Sequence, residues 1–300
     1  MSRQKNIRRI AAVLLCLCAA APLAGCAGKP GAAAGVSAGK KVAVSVSFNA
    51  IAELAKAVGG DKVTVSTIIP DGTEPHDFEP KAKDLTAMGG AAVFVYNGLE
   101  MEGWAQQAVQ AVENPKLVVV EASKGAAAVR DPGVDPHLWL SVKGAELEAK
   151  NIRDGLIQAD PADKAAFEGN YAQFNGQLEK LYAQYQPVFA AAKSKDFVAG
   201  HAAFAYFCRD FGLKQQSVED VYAEGEPSPK KLAQLVAYCR ENHVKTIFAE
   251  QLASPAVSKT LADEVGARVE TIYTMESSED GKSFLARMEA NLSEIAAALK

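Results

Sequence analysis

Clusters of basic residues and long hydrophobic runs are both scarce in this chain of 300 residues. Lysine and arginine number 32 against 36 aspartates and glutamates, so the formal net charge is −4. Binding to nucleic acid phosphates needs clustered basic side chains, and none occurs beyond the first nine residues, which excludes a nucleic acid partner. The composition, 49% hydrophobic and 23% charged, is that of a globular protein with room for two domains of ordinary size.

Cysteine is also scarce, and most of it lies at the amino terminus. Three of the five cysteines fall within the first 26 residues, and only Cys208 and Cys239 remain for the folded part. This excludes a small scaffold held together by several disulfides. Both cysteines lie in segments with helical apolar spacing, so the sequence leaves open either one disulfide or two buried free thiols.

The amino terminus has the pattern of a bacterial secretory signal. Four basic residues precede an uncharged stretch over residues 10–21, which is too short for a stable membrane-spanning helix. The stretch ends near Leu23-Ala24-Gly25-Cys26, which resembles the lipobox of bacterial lipoproteins, where cleavage before the cysteine is followed by lipidation of its thiol. We therefore expect residues 1–25 to be removed and Cys26 to anchor an exported protein to the cell membrane, on its outer face or periplasmic side. An ordinary secretory signal with a chance cysteine is the alternative.

The rest of the chain alternates strand-like and helix-like patterns. Residues 26–40 are rich in glycine, alanine and serine without apolar periodicity, which predicts a flexible tether. Two sets of β-branched runs then follow, KVAVSVS, VTVSTIIP, AVFVYN and KLVVVEA in the first and DFVAGH, KQQSVEDVY, KTIFAE and ARVETIY in the second. Because helical patterns separate these runs, the sequence predicts an α/β fold with two lobes, residues 41–160 and 193–300, each with a mostly parallel sheet flanked by helices.

A single apolar stripe lies between the two lobes. Its members recur at spacings of four and three residues and are Phe167, Tyr171, Phe174, Leu178, Leu181, Tyr185 and Val188. Asp160 followed by Pro161 is typical of a helix N-cap with proline in the first turn. The pattern predicts one rigid backbone helix over residues 161–192, about 48 Å long, that packs along both lobes. An exposed coiled coil is the less economical interpretation.

Histidine is scarce enough for each position to matter, since the chain has only four. His76, His137 and His201 follow strand-like runs or lie in turn-rich loops, where ligands of open α/β sheets bind. The separations of 61 and 64 residues exclude a short-range zinc motif, so a shared site would be assembled across both lobes. Taken singly, each histidine fits a surface or hydrogen-bonded core residue, but three neutral imidazoles placed in this way favour a Zn²⁺ site with one further position. His243 lies near a predicted helix end, where it needs no metal.

Four separated runs resemble one family of transport proteins. In chain order they are SFNAIAELAKAVGGDKVTVSTIIPDGTEPHDFEPKAKDL, DPHLWLS, GHAAFAYFCRDFGL and IFAEQLASPAVSKTLADEVGARV. They are similar to the substrate-binding lipoproteins of zinc and manganese ABC importers, and the likeness covers essentially the whole chain from Lys41 onward. The resemblance implies a two-lobed binding protein, not an enzyme, that hands its metal to an ABC permease. We expect it to act as a monomer.

The same resemblance implies which residues bind the metal. His76, His137 and His201 match the three histidine ligand positions of the family, and Glu250 matches a carboxylate often found beside or within the site. The manganese branch commonly has a carboxylate at the third position, where this chain has His201, so we expect Zn²⁺, with Mn²⁺ as the alternative. The chain departs from many zinc members in having no histidine-rich loop, because residues 113–135 contain no histidine.

The fourth ligand is less clear from the sequence. The family usually places an aspartate just past the last strand, where simple counting puts Met275. The loop TMESSED begins at the carboxyl end of the run ARVETIY, at the edge where His201 is also expected. We predict Glu276 as the fourth ligand because it is the carboxylate nearest the strand end. Glu250, at the end of KTIFAE, and a bound water are the alternatives.

Two other classes of function fit part of the pattern. Three histidines and an open position also suit a zinc hydrolase, with Glu250 or Glu74 as general base. The chain has no HExxH motif and no second carboxylate-histidine cluster, which disfavours that class. The other class is a surface adhesin with a purely structural zinc, because some relatives in this family are described as adhesins.

Overall fold

Eight strands form two separate four-stranded sheets in the part of the chain that the structure describes. The structure is a computed structural model, and it describes residues 40–130, 133–222, 228–250, 256–278 and 280–300. The predicted signal peptide, Cys26 and the tether up to residue 39 lie outside the described residues. Among the residues described, no helix combines the length and apolar character needed to cross a membrane.

All neighbouring strands of the first sheet are parallel, in the order β2-β1-β3-β4. The strands are β1 (Val42–Val46), β2 (Val63–Thr67), β3 (Val93–Tyr96) and β4 (Val118–Glu121). The helices between them are α1 (Asn49–Gly59), α2 (Ala82–Gly89) and α3 (Ala105–Ala111). The central strands β1 and β3 are rich in valine and mostly buried, as expected for a parallel sheet with helices on its faces.

The second sheet repeats this topology in the order β6-β5-β7-β8. Its strands are β5 (Asp196–Ala199), β6 (Lys214–Ser217), β7 (Thr246–Glu250) and β8 (Arg268–Ile272). The helices of this part are α6 (Ala205–Phe211), α7 (Pro229–Glu241), α8 (Ala256–Val265) and α9 (Phe284–Ala298). In both sheets the first strand lies between the second and the third, so each sheet has a switch point where loops diverge and a ligand crevice opens.

Two helices connect the sheets. Helix α4 (Val142–Ala159) begins after a 3₁₀ turn (Leu138–Leu140) and is capped by Ser141, whose hydroxyl accepts a hydrogen bond from the Gly144 amide at 2.9 Å. The predicted backbone helix over residues 161–192 is composite and slightly shorter. A 3₁₀ turn (Pro161–Asp163), capped by the Asp160 carboxylate on the Ala162 amide, precedes α5 (Lys164–Ala190). Proline in the first turn tightens the helix start, and the long helix itself is confirmed.

The apolar stripe of α5 differs from the prediction at its end. Val188 is 38% exposed, whereas Phe189 is fully buried. The residue four positions after Tyr185 is Phe189, so the inner face of the helix continues there and Val188 falls on its flank. The prediction of Val188 as a stripe residue was therefore wrong.

One hydrophobic core joins both sheets through α5. It contains side chains of the first sheet, of α5 and of α6 and α9, and the rings of Phe174 and Phe284 and of Phe189 and Phe207 lie 6.0 Å and 5.7 Å apart. We call residues 41–160 the first lobe and residues 193–300 the second lobe, and these boundaries stay a prediction. The expected α/β class with two parallel sheets and one long helix is confirmed.

Cys208 and Cys239 are buried free thiols. Cys208 belongs to the large core, and Cys239 belongs to a smaller core between the second sheet, α7 and α8. The sequence left open one disulfide or two buried free thiols, and the structure has two free thiols. Burial raises the pKa of the Cys239 thiol to about 11, which keeps it protonated and unreactive at neutral pH.

Candidate metal centre

Four loops bring the candidate ligands to one place. His76 lies in the loop after β2, and His137 immediately precedes the 3₁₀ turn that leads into α4. His201 lies two residues beyond the end of β5, and Glu276 lies four residues beyond the end of β8. Because the strands within each sheet are parallel, the loops after β2, β5 and β8 leave from the carboxyl edges, and the site lies where these edges of the two lobes meet.

One ligand atom from each of these four side chains lies within 4.8 Å of all the others. The Nε2 atom of His137 is 3.2 Å from Nε2 of His76 and 3.4 Å from Nε2 of His201. Ligand nitrogens at about 2.0–2.1 Å from a tetrahedral Zn²⁺ ion lie roughly 3.3 Å from one another. Nε2 of His137 therefore lies at the spacing of zinc ligands from both other histidines, and Nε2 of His76 and of His201 belong to the group whose ligand atoms lie within 4.8 Å.

The orientation of His137 is set by Asp135. The His137 side chain is completely buried, and its Nδ1 lies 2.9 Å from Oδ1 of Asp135. A neutral imidazole that donates its Nδ1 proton to a carboxylate presents a free lone pair at Nε2, which here is directed at the other two histidines. Burial raises the pKa of the Asp135 carboxyl, although the His137 backbone amide opposes that shift.

Glu250 lies behind His201 and outside the group of four. One of its carboxylate oxygens, Oε1, accepts a hydrogen bond from the His201 amide at 3.1 Å and lies 3.6 Å from Nδ1 of the same residue. Gly200 permits this approach, since a Cβ at that position would lie 2.1 Å from Oε2 of Glu250. Glu250 therefore faces the nitrogen of His201 that points away from the other histidines.

The three histidines have different proton affinities. Burial, together with the other two histidines, lowers the pKa of His76 to about 3, and burial also lowers the pKa of His137 well below its usual value. For His201, burial lowers the pKa, but the hydrogen bond and charge of Glu250 outweigh it and raise the pKa to about 9. His76 and His137 are thus ready to bind a cation at neutral pH, whereas His201 must first lose a proton.

Glu276 has the chemistry of a metal ligand. The side chain is buried, Oε2 accepts a hydrogen bond from the Thr274 hydroxyl at 2.9 Å, and Oε1 has no hydrogen-bond partner. Burial raises the pKa of this carboxyl to about 7, with the charge of His201 acting in the opposite direction. A buried carboxylate oxygen without a partner is costly, and a divalent cation between Glu276 and the histidines would remove that cost.

The other residues considered from the sequence lie elsewhere. Glu74 is on the exposed rim, with its carboxylate 4.0 Å from Nε2 of His76. Met275 is buried and directly precedes Glu276. His243 lies beyond the end of α7, where it lines a separate cavity with Lys193 and Lys300.

Two residues of the site were missed by the sequence reasoning. Asp135 precedes His137 by two positions in the run DPH, and that short spacing was the available signal. Tyr222 gave no signal, because it lies 146 positions from the histidine it touches, and its ring packs edge-on against His76 with the centroids 5.6 Å apart. Tyr222 and Asp135 close two sides of the site.

Known proteins similar to this chain bind or transport metals. A putative metal-binding protein of Treponema pallidum is 42% identical over 272 residues, which covers 85% of this chain and 86% of that protein. The high-affinity zinc uptake system protein ZnuA of Bacillus subtilis is 34% identical over 277 residues and covers 85% of this chain and 87% of its own length. The structure of the laminin-binding protein Lmb of Streptococcus agalactiae, described as a bifunctional protein with adhesin and metal transporting activity, shares 35% identity, covers 86% of this chain and 100% of its own, and superposes with a TM-score of 0.81.

The family profile that matches is described as zinc-uptake complex component A, periplasmic (ZnuA), and the match extends over residues 44–298. Its members are solute-binding proteins of zinc transport and not enzymes, so the hydrolase alternative is not supported. The parallel sheets, the cluster of three histidines and one glutamate, and this match lead to one conclusion: the chain belongs to the ZnuA family of zinc-uptake binding proteins.

Proposed function

We propose that the protein captures Zn²⁺ outside the cytoplasm with His76, His137, His201 and Glu276 and delivers it to the permease of an ABC importer. The observation that carries this proposal is the convergence of one ligand atom from each of the four side chains within 4.8 Å, with Nε2 of His137 at the ligand spacing of a zinc tetrahedron from Nε2 of both His76 and His201. Bound Zn²⁺ would be cargo, held for transport and then released.

The donor set favours zinc over manganese. Three nitrogens and one oxygen suit Zn²⁺, whereas Mn²⁺ prefers sites that are mostly oxygen and higher in coordination number. Glu250 supports the nitrogen-rich set, because it lies against His201 from behind and does not add a second oxygen to the group. A manganese-specific binding protein of the same type is the second candidate.

Release is as necessary as capture for a transport protein. The four ligands come from four loops of two lobes, so displacement of one loop breaks the site without unfolding either sheet. A structural zinc would instead be enclosed and lost only on unfolding. The adhesin activity ascribed to Lmb of Streptococcus agalactiae is a property of that protein, and no described residue of this chain favours it here.

The proposal includes a membrane anchor at Cys26. It is supported by the sequence Leu23-Ala24-Gly25-Cys26 after a short apolar stretch, and by the glycine- and alanine-rich residues that follow. A tether of that composition lets the folded part reach a permease in the same membrane. The anchored protein would act as a monomer.

Calorimetric titration of the metal-free protein with Zn²⁺ and with Mn²⁺ tests the site. We expect one equivalent of Zn²⁺ to bind with high affinity, and Mn²⁺ to bind at least about tenfold more weakly. Glu276→Gln should weaken zinc binding more than Glu250→Gln, because only Glu276 belongs to the group of four. Several equal sites, equal affinity for Mn²⁺, or the opposite order of the two variants would contradict the proposed ligand set.

Transport is tested separately. Deletion of the gene should slow growth and zinc accumulation under zinc limitation, and the wild-type chain should restore both. A chain with His76, His137 and His201 replaced by alanine should restore neither. Full restoration by that variant would show that the site is not used for uptake.

A further inference from the structure

The segment that carries Glu276 belongs to the second lobe but is held by the first. We call residues 274–278 the ligand turn. The carbonyl of Thr274 accepts a hydrogen bond from Nε1 of Trp139 at 2.7 Å, and the carbonyl of Met275 accepts one from Nδ2 of Asn49 at 3.0 Å. Both donors are buried residues of the first lobe, 135 and 226 positions away along the chain. The two backbone carbonyls next to Glu276 are therefore fixed from the opposite side of the site.

The backbone of Met275 shows what these hydrogen bonds maintain. Its φ angle is +61°, in the left-handed region that residues with a Cβ rarely adopt. Such a conformation persists only where the surroundings impose it. Here the flanking carbonyls are held by Trp139 and Asn49, and the Met275 side chain is buried. The strained residue immediately precedes Glu276, so it sets the direction in which the Glu276 side chain leaves the backbone.

The far end of the ligand turn is held in the same way. Asp71 accepts two hydrogen bonds from Ser278, one from its amide at 3.1 Å and one from its hydroxyl at 2.5 Å. The amide of Gly72 donates to the hydroxyl of Ser277 at 2.6 Å. Asp71 and Gly72 lie in the loop that carries His76, so two ligand loops from different lobes are joined at the rim of the site.

Trp139, one of the residues that hold the ligand turn, also contacts a histidine ligand. The ring of Trp139 packs against His137 with a centroid distance of 5.2 Å and against Phe48 at 4.8 Å. Asn49 is the first residue of α1 and directly follows Phe48. His137 and the ligand turn thus share one rigid support in the first lobe.

We propose that Asn49, Trp139 and Asp71 are positioning residues that hold the ligand turn so that Glu276 is placed beside the three histidines before the metal arrives. A preorganised ligand loses little conformational freedom on binding, and a fixed fourth oxygen imposes four-coordinate geometry. Without these contacts the turn would leave the left-handed conformation and Glu276 would move away from the histidines. This inference rests on the proposed function, because it takes Glu276 as a ligand.

The decisive variant is Asn49→Asp. It keeps the shape of the side chain but removes the amide donor to Met275, and a carboxylate at the start of α1 suits the helix dipole. We expect zinc affinity to fall about tenfold, the lower end of the range for residues that orient ligands. Asn170→Asp is the matched control, since Asn170 donates an equivalent hydrogen bond to the Val58 carbonyl at 3.0 Å, between α5 and α1 and outside the group of four. It should leave zinc affinity unchanged.

A double-mutant cycle separates positioning from general stability. If Asn49 acts through Glu276, Asn49→Asp should cost nothing further in a Glu276→Gln background. The absorption spectrum of bound Co²⁺ gives a second readout, because four-coordinate Co²⁺ absorbs more strongly in the visible than six-coordinate Co²⁺. We expect the Asn49→Asp spectrum to move toward that of Glu276→Gln, and the Asn170→Asp spectrum to match wild type.

Asp71→Ala keeps the test decisive if Asn49→Asp fails to fold, since Asp71 is exposed. Asp71→Ala and Ser278→Ala should each weaken zinc binding severalfold, and the double variant should be no weaker than either. The inference is overturned if Glu276→Gln weakens binding while both Asn49→Asp and Asp71→Ala stay within twofold of wild type. It is also overturned if their effects persist in the Glu276→Gln background. If Glu276→Gln itself has no effect, the proposed ligand set fails, and the positioning role fails with it.

Discussion

A single oxygen of Asp135 accepts two hydrogen bonds from His137, one from the backbone amide at 2.8 Å and one from the ring nitrogen Nδ1 at 2.9 Å. The first fixes the backbone and the second fixes the ring, so the remaining ring nitrogen has one direction in which to point. That direction is toward Nε2 of His76 and His201. A carboxylate that orients a histidine ligand in this way also makes the imidazole a better donor to a metal.

Asp135→Asn should therefore weaken zinc binding without changing its stoichiometry. The amide keeps the shape of the carboxylate but lacks its charge, and we expect a loss of about tenfold in affinity. Competition with a chromophoric chelator measures this loss. The melting temperature of the metal-free variant serves as the control for folding, and unchanged zinc affinity would show that Asp135 is only a structural partner of the loop.

Zinc binding at pH 7 should release a proton from His201. Because Glu250 raises the pKa of His201 to about 9 against the opposing effect of burial, His201 is protonated at pH 7 in the metal-free protein, and Zn²⁺ must displace that proton. Affinity should then rise as pH increases from 7 toward 9, by up to about tenfold per unit. His76, whose pKa is lowered to about 3 by burial and its two neighbours, contributes no competing proton in this range, whereas Glu276, whose pKa burial raises to about 7, adds part of a proton near pH 7.

Titration calorimetry in buffers of different ionisation enthalpy counts the released protons. Glu250→Gln removes the charge that raises the pKa of His201, so fewer protons should be released by that variant at the same pH. Equal proton release from wild type and Glu250→Gln would contradict the assignment to His201.

Zinc should stabilise the loops of the site without rotating the lobes. The buried side chains of α5 belong to the same core as those of both sheets, so rotation of one lobe against the other would break that core. Solution scattering with and without Zn²⁺ should give nearly the same radius of gyration, while hydrogen exchange slows in the loops that carry His76 and Glu276. A large compaction on adding Zn²⁺ would contradict this expectation.

Glu148 should destabilise the fold at pH values above the usual pKa of a glutamate side chain. It is fully buried on α4, both of its carboxylate oxygens lack hydrogen-bond partners, and burial raises its pKa well above the usual value. The unfolded chain loses this proton near pH 4.5 and the folded chain only at a higher pH, so this residue's contribution to stability falls as pH rises through that interval.

Glu148→Leu should accordingly raise the free energy of unfolding at pH 8 by about 1–3 kcal/mol, with a smaller gain at pH 5. Chemical denaturation at the two pH values measures both numbers. Glu146→Leu is the control, because Glu146 lies on the same helix but its carboxylate pairs with Lys143 at 3.0 Å, so its replacement should bring no gain. Destabilisation by Glu148→Leu at pH 8 would mean that the carboxylate has a favourable role.

Much of the architecture was predictable from local patterns. The β-branched runs correspond to the eight strands, and the helix expected over residues 161–192 is observed as a 3₁₀ turn (Pro161–Asp163) followed by α5 (Lys164–Ala190). Such segments carry their own signal, since strand and helix periods are written in consecutive residues. The predictions of the long helix were wrong at its two ends. At the carboxyl end, Phe189 and not Val188 lies on the buried face. At the amino end, the first residues form a 3₁₀ turn, Pro161–Asp163, and not α-helix.

The sequence by itself determined the strand order along the chain, the long helix and the three histidines, because apolar periodicity and rare residue types are visible without coordinates. Only the tertiary structure distinguishes Glu276, in the loop after β8, from Glu250, the last residue of β7, because the two side chains have the same chemistry. Glu276 lies in the group of four, whereas Glu250 faces the rear of His201. The tertiary structure also shows that Asn49 and Trp139, more than 130 positions away in the chain, donate hydrogen bonds to the turn that carries Glu276. Both contacts join segments that are remote in the chain and meet only when the two lobes pack together, so no local pattern in the sequence could predict them.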